Sequence, residues 1–474
     1  MTDAATSPLL TRLLDHAQAL RFDTLPPAAV QAALVFITDS VGVGLAGSRH
    51  ARRPQVLAAA AGWGDAGAMA ARDWASGRRW PAPTAALLNA WQVHNQEFDC
   101  VHEGAVVHPL ATILPALVAE AERAAARGRP VSGAALIEAL VLAVDVAATL
   151  GSAQVAPMRF FRPAMCGALG ASLGLAKLAG LPRAAMADAL GIAHSQLAGT
   201  MQAHLEGSPM LALQVGLAAR AAVTALDLAR AGFSGPHDVI EGPFGYFDLF
   251  DAPLGAPGSA RREQVQRVFD ELGHIWRITE VSHKPFPTGR AAQGALDGLA
   301  ALQAQHGFTA AQVARVELLA PPLILRLVGR PLRAGMDVNY ARLCLPYLAA
   351  TALLHGQVTL DAFERAALDD PARHALAARV FALPDGNPDA NALAPQALRV
   401  TLRDGRVLAI DLPAVLGHPQ RPLPAAAQRA KFDACCAHAG LSAPATARLH
   451  AACAALPQCE DVSAWVSLMN ENPA

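Results

Sequence analysis

The chain has 474 residues, with 38 Lys plus Arg against 39 Asp plus Glu and a formal net charge of −1. That length suits two or three domains with a sizeable core. The balanced charge gives no electrostatic basis for binding nucleic acid or an anionic membrane.

Hydrophobic residues make up 53% of the chain and charged ones only 16%, well under the usual level of about a quarter. Much of the excess is alanine, which favours helix and close helix packing. A surface this short of charge also suggests burial in an oligomer. The opening stretch MTDAATSPLLTRLLDHAQAL lacks the basic start and unbroken apolar run of a signal peptide. The longest apolar segment, Ala134 to Leu150, is interrupted by Glu138 and Asp145 and reads as a buried helix rather than a membrane span. Seven cysteines without paired spacing fit a reducing compartment, so the expected location is the cytoplasm.

Thr11–Leu20, Pro27–Ser40 and Thr84–Asp99 are predicted as the first helices. Gly42, Gly44 and Gly47 match the spacing G-x-G-x-x-G, but the segment before them is helical and no alternating strand and helix pattern follows. These glycines therefore read as close helix packing, not as a dinucleotide site.

The run Trp91 to Pro109, WQVHNQEFDCVHEGAVVHP, is unusually rich in titratable groups for this chain. A helix continuing through Asp99 would place Gln96, Asp99 and His102 on one face at three-residue steps. A break at Gly104 would bring His108 back toward them. A carboxylate with two imidazoles is equipment for proton transfer near neutral pH. Asp99, His102 and His108 also make a three-ligand metal alternative, although the six-residue step from His102 to His108 departs from the zinc-protease spacing. Neither a metal nor any other cofactor is expected.

From Leu110 to Gly232 helix follows helix: Leu110–Ala126, Ser132–Gly151, Cys166–Ala179, Arg183–Leu197 and Leu211–Ala231, with Gly/Pro connectors between several of them. Arg162, before a Gly-spaced helix, and His204, at a helix end, are candidates for receiving a substrate carboxylate. The composition changes after Gly235-Pro236. Ile278–Ser282 reads as a short strand, and His283-Lys284-Pro285-Phe286-Pro287-Thr288-Gly289-Arg290 as a stiffened turn suited to anion capture at the start of helix Ala291–Gln305. Val313–Leu319, Leu398–Leu402 and Arg406–Ile410 alternate like strands. Asn339–Gly356 reads as a helix carrying Tyr340, Arg342 and Tyr347, and the tail from Leu423 is helical again. Its cysteines lack the C-x-x-C pairs of a zinc site.

Four stretches, in this order and separation, resemble the MmgE/PrpD family. They are Ile37-Thr38-Asp39-Ser40-Val41-Gly42, Glu97-Phe98-Asp99 through His108-Pro109, Lys284-Pro285-Phe286-Pro287, and Ala341-Arg342-Leu343-Cys344-Leu345-Pro346-Tyr347. The resemblance implies a mainly α protein: a large all-helical domain over 1–268, a smaller α+β lid over 269–412, and a helical tail over 413–474 that returns to the large domain. It also implies a homodimer acting without a cofactor on a di- or tricarboxylate in a cleft between the domains. By residue, Asp99 and His108 fall on the family's acidic-loop aspartate and histidine, Lys284 on its lid lysine and Tyr347 on its tyrosine.

Several positions depart from the family pattern. Arg162-Pro163 stands where His-Pro is frequent, Met210 and Leu211 where a lysine often precedes the later helix, and Gly289, Arg290 and Gln293 where a histidine often follows the lid lysine. The scaffold and reaction type are thus expected to persist while the substrate changes. The expected reaction is proton abstraction beside a carboxylate with loss of water. Epimerisation, decarboxylation and carboxylate binding without turnover remain as alternatives. His108 or Asp99 is the expected base and His102 or Tyr347 the expected acid. Lys284, Arg162 and Arg290 are expected to hold carboxylates, assisted by Gln96, His204 and Tyr340.

Overall fold

The computed structural model describes residues 7–67 and 69–471. The protein is mainly helical, with one four-stranded sheet and two small two-stranded ones among the described residues. At its centre lie Ala82–His94, Pro109–Ala126, Gly133–Ser152, Arg162–Leu178 and Met210–Arg230. Alanine and glycine let these helices approach closely. A Cβ added at Gly170 would sit 2.3 Å from the Ala143 carbonyl oxygen, and one at Gly174 would sit 2.8 Å from that of Ala139. Gly133–Ser152, read from sequence as a buried helix, has 83% of its most apolar window inside the protein.

The glycines of the G-x-G-x-x-G run sit inside one helix, Pro27–Gly47. A Cβ on Gly47 would lie 1.9 Å from the Gln92 carbonyl oxygen, while Gly44 faces Val93 and Trp74, and Gly42 faces Phe432. Helix packing, not phosphate binding, is their work.

The four-stranded sheet runs in the order Val380–Pro384, Val313–Ala320, Gln396–Leu402, Val407–Leu412. Its first pair is parallel, with Val316 opposite Val380, and the others are antiparallel, with Leu398 opposite both Leu318 and Ile410. Helix Arg290–His306 packs on this sheet, with Gly294 against Gln396 and Gly298 against Leu398 and Leu412. The tail then returns: Ala425–Ala439 packs along Pro27–Gly47. A two-residue antiparallel ladder, Val101–His102 with Val281–Ser282, ties the acidic segment to the chain just before Lys284.

Two helices expected from periodicity are corrected. The one expected to continue through Asp99 ends at His94. The one expected over Asn339–Gly356 is two pieces, Val338–Ala341 and Leu345–His355. Pro346 lies in the first turn of the second piece, where its missing N–H leaves no helical bond unmade. Ile278–Ser282 is strand only at Val281–Ser282, after a 3-10 turn at Arg277–Glu280.

Candidate active site

The acidic segment is a shaped loop between two helices. After His94 the chain turns, and Glu97 takes a left-handed conformation at φ 51°. Val101–His102 then extend, the chain folds back through Val106 at φ 53°, and His108 caps helix Pro109–Ala126. Non-glycine residues seldom hold positive φ, and for a branched side chain such as Val it is an outlier. The cost is about 1–2 kcal/mol per residue, and such strain concentrates at functional sites. Both residues line the same cavity.

Outside contacts hold the loop in shape. Lys431, from the tail helix, pairs with Asp39 at 2.7 Å and donates to the Phe98 carbonyl at 2.8 Å. Arg342 donates to the carbonyls of Gln96 at 2.8 Å and Pro287 at 3.1 Å, and also to the Gln96 side chain. It thereby ties the acidic loop to the turn after Lys284. Gln293 completes that turn, accepting from Phe286 N at 3.1 Å and donating to the Phe286 and Thr288 carbonyls at 2.8 and 3.0 Å.

The loop converges on Asp99, which is wholly buried. Its Oδ2 accepts from His94 Nδ1 at 2.9 Å and lies 3.1 Å from His108 Nδ1. Only the His94 contact has good hydrogen-bond alignment; the His108 nitrogen approaches off line. The two rings stand edge to face with centroids 4.8 Å apart. Lys284 Nζ lies 3.5 Å from Asp99 Oδ1 and 3.2 Å from Glu97 Oε2, and donates to the Glu97 carbonyl at 3.2 Å.

This arrangement pushes the two imidazoles apart in acidity. Burial opposes charge on His94, but Asp99 and Glu97 outweigh it and raise its pKa. On His108 burial wins, with Lys284 adding to it, and the pKa falls below its ordinary value. Burial opposes ionisation of Asp99 and Glu97 too, yet the surrounding cations hold Asp99 well below the usual carboxylate range and Glu97 at about 2. The site thus sets two carboxylates and the Lys284 side chain against two imidazoles shifted in opposite directions. Paired groups with divergent pKa values mark an acid and a base.

His94, Glu97 and His108 open onto a cavity with about 540 Å³ of empty space, part of it continuous with solvent. His108 turns its Nδ1 edge to Asp99 and is part of the cavity lining. His94 Nε2 is buried and has no hydrogen-bond partner.

Other sequence candidates take different places. His204 lines the cavity, its pKa lowered to about 4 by burial and by Arg330 beside it. Arg290 lines the cavity as well, but its guanidinium binds Glu103 and the carbonyls of His283, Leu416 and Val415. Arg162 is buried behind the wall, 3.3 Å from both the Ala105 carbonyl and Asn391 Oδ1. Gln96 serves as the seat of Arg342.

His102 is set apart from Asp99: its Nε2 meets Glu280 at 3.0 Å and its Nδ1 accepts from Ala105 N at 3.1 Å. Tyr347 donates to the Ala362 carbonyl and accepts from Arg373 at 2.9 Å, away from the cavity lining. Tyr340 donates to the Pro331 carbonyl at 2.7 Å.

Among the described residues the three-ligand cluster is His94, Asp99 and His108, with donor atoms within 4.8 Å of one another; His102 is not part of it. A cation there would meet the Lys284 ammonium already placed 3.5 Å from Asp99, and like charges so close repel strongly in a buried site. Sequence reasoning named neither His94 nor Glu97 as a site residue. Both sat in the same titratable run, but an assumed helix directed attention to another face.

Comparison with known proteins agrees with this architecture. The chain is 28% identical over 366 residues to the cis-aconitate decarboxylase-like protein oryM of Aspergillus oryzae, spanning 74% of this chain and 75% of that protein. It is 28% identical over 376 residues to cis-aconitate decarboxylase of Homo sapiens, spanning 75% and 73%, and 26% identical over 307 residues to that of Aspergillus terreus, spanning 64% and 61%. Residues 11–254 match the MmgE/PrpD N-terminal domain and residues 286–454 the MmgE/PrpD C-terminal domain, so the chain belongs to the MmgE/PrpD family.

Proposed function

We propose that this protein is a lyase that removes a proton from a carbon next to a substrate carboxylate and expels a hydroxyl from the neighbouring carbon. The observation that carries this reading is the single Asp99 carboxylate shared by two imidazoles of opposite pKa shift at a cavity wall. His108, neutral near physiological pH, takes the α-proton on Nε2. The freed electron pair forms the carbon–carbon double bond as the hydroxyl departs, and His94, protonated, supplies the proton that makes it water. Asp99 orients both rings and offsets the charge that arrives on His108. Lys284, buried between Glu97 and Asp99, holds the two carboxylates in place behind the imidazoles.

A second reading has support from the relatives, which are named as cis-aconitate decarboxylases. In decarboxylation the electrons of the broken carbon–carbon bond stay on the substrate, and the same acid returns a proton to that carbon. Proton NMR of a panel of hydroxy- and unsaturated carboxylates in deuterium oxide tests both readings, with carbon dioxide measured in parallel. Deuterium at an α-carbon with loss of water supports the lyase reading. Release of carbon dioxide from the same ligand replaces it with the second.

A further inference from the structure

Granted the catalytic reading above, the cavity carries information about what it takes in. Most of its lining is apolar, including Met158, Phe161, Met201, Leu211, Leu327 and Val328. The cations near it are mostly committed. Lys284 is fully buried between Glu97 and Asp99, and Arg290 is bound to Glu103 and three carbonyls. Glu97, ionised, faces the cavity and would repel a substrate bearing several carboxylates. Such carboxylates would also lose their water without gaining partners.

Among the described residues beside the cavity, Arg330 keeps an unpartnered N–H next to His204. Arg330, just beyond helix Pro322–Val328, donates through Nη2 to the His204 carbonyl at 2.8 Å. Its Nη1 is buried without a hydrogen-bond partner. Its guanidinium stacks on the Tyr340 ring, 4.8 Å from the centroid, which fixes its direction. A half-buried guanidinium with one unpartnered N–H beside a cavity residue is a natural partner for a carboxylate.

We infer that this site takes a carboxylate with an apolar alkyl or aryl body: Arg330 binds the carboxylate beside His204, and the apolar wall holds the body. A compact, heavily charged tricarboxylate fits these surroundings poorly.

Calorimetric titration of the intact protein with 3-hydroxybutyrate through 3-hydroxyoctanoate, alongside citrate and propane-1,2,3-tricarboxylate, tests this. Binding should tighten about fourfold per added methylene, the ~0.8 kcal/mol of a buried methylene, until the cavity is full, with both tricarboxylates weaker than the longest alkyl ligand. Arg330→Gln should weaken the whole series about tenfold, as loss of a charged hydrogen bond does, and leave the methylene increment intact. A flat series, or tricarboxylates binding tightest, would overturn the inference, and that result needs no variant.

Deuterium exchange on the same ligands separates the two claims. Exchange confined to polycarboxylates overturns the ligand class and leaves the acid–base reading standing. A steep alkyl series without exchange in any ligand overturns the acid–base reading and supports the ligand class.

Discussion

Lys284 and Glu97 meet twice, through the side chain at 3.2 Å and through the Glu97 carbonyl at 3.2 Å, with the ammonium fully buried. Removing the cation would leave Glu97 and Asp99 with only the imidazoles of His94 and His108 to offset their charge. Lys284→Met should cost about 3–5 kcal/mol of stability at neutral pH, the range for breaking a buried pair, and lower turnover by about a hundredfold as the loop carrying Asp99 shifts. Glu97 has its pKa depressed from 4.5 to about 2 in the folded protein. Its stabilising contribution is therefore complete above 4.5 and lost as pH falls toward 2. Urea denaturation across that window should show the gap between wild type and variant narrowing as pH falls.

The opposite shifts of His94 and His108 set the pH dependence of activity. His108 must be neutral to act as base, and its pKa is lowered from 6.5, so the rising limb of kcat/KM lies below pH 6.5. His94 must be protonated to act as acid, and its pKa is raised from 6.5, so the falling limb lies above pH 6.5. Because both rings share Asp99, the limbs report the pair and not either residue alone. Asp99→Asn removes the anion that raises His94 and should move the falling limb to lower pH. A profile that only rises across this range would contradict the assignment.

Lys431 is a positioning residue. It touches the acidic loop through the Phe98 carbonyl and Asp39, and it is absent from the cavity lining. Lys431→Met should destabilise the protein by about 3–5 kcal/mol. It should also lower kcat by about tenfold to a hundredfold, as small displacements of catalytic groups do. The shape of the pH profile should be retained in the folded fraction, since the titrating groups are untouched.

The geometric closeness of His94, Asp99 and His108 invites a metal, and chelation checks it directly. Activity should survive prolonged treatment with EDTA and phenanthroline, and metal analysis should find less than one equivalent bound. Loss of activity on chelation, restored by one equivalent of a divalent cation, would replace the proton-transfer account.

Much of the helical scaffold was legible because alanine-rich segments are punctuated by Gly and Pro. The periodicity over Gly133–Ser152 or Met210–Arg230 leaves no strand reading. The site was less legible because its shape depends on contacts between residues far apart in sequence. Nothing local to Glu97 announces a left-handed turn; its surroundings come from Lys284, Arg342 and Lys431, supplied by distant segments. Arg342 and Tyr347 belong to a stretch that resembles the family, yet here they brace loops, Arg342 through Gln96 and Tyr347 through Ala362. Strand Val380–Pro384 also escaped notice: five residues ending in proline, placed by parallel pairing with Val313–Ala320, carry too little pattern to read alone.

The central claim is that His108 removes a proton from a carbon beside a carboxylate, and solvent exchange tests it most directly. Wild-type protein and His108→Ala, each shown to be folded, would be incubated with a bound carboxylate ligand in deuterium oxide and followed by proton NMR. The account predicts deuterium at the α-carbon with wild type and a loss of about 10²–10⁴-fold in the variant, the usual worth of a general base. Equal exchange in both proteins, or none with a ligand proven to occupy the cavity, would contradict it.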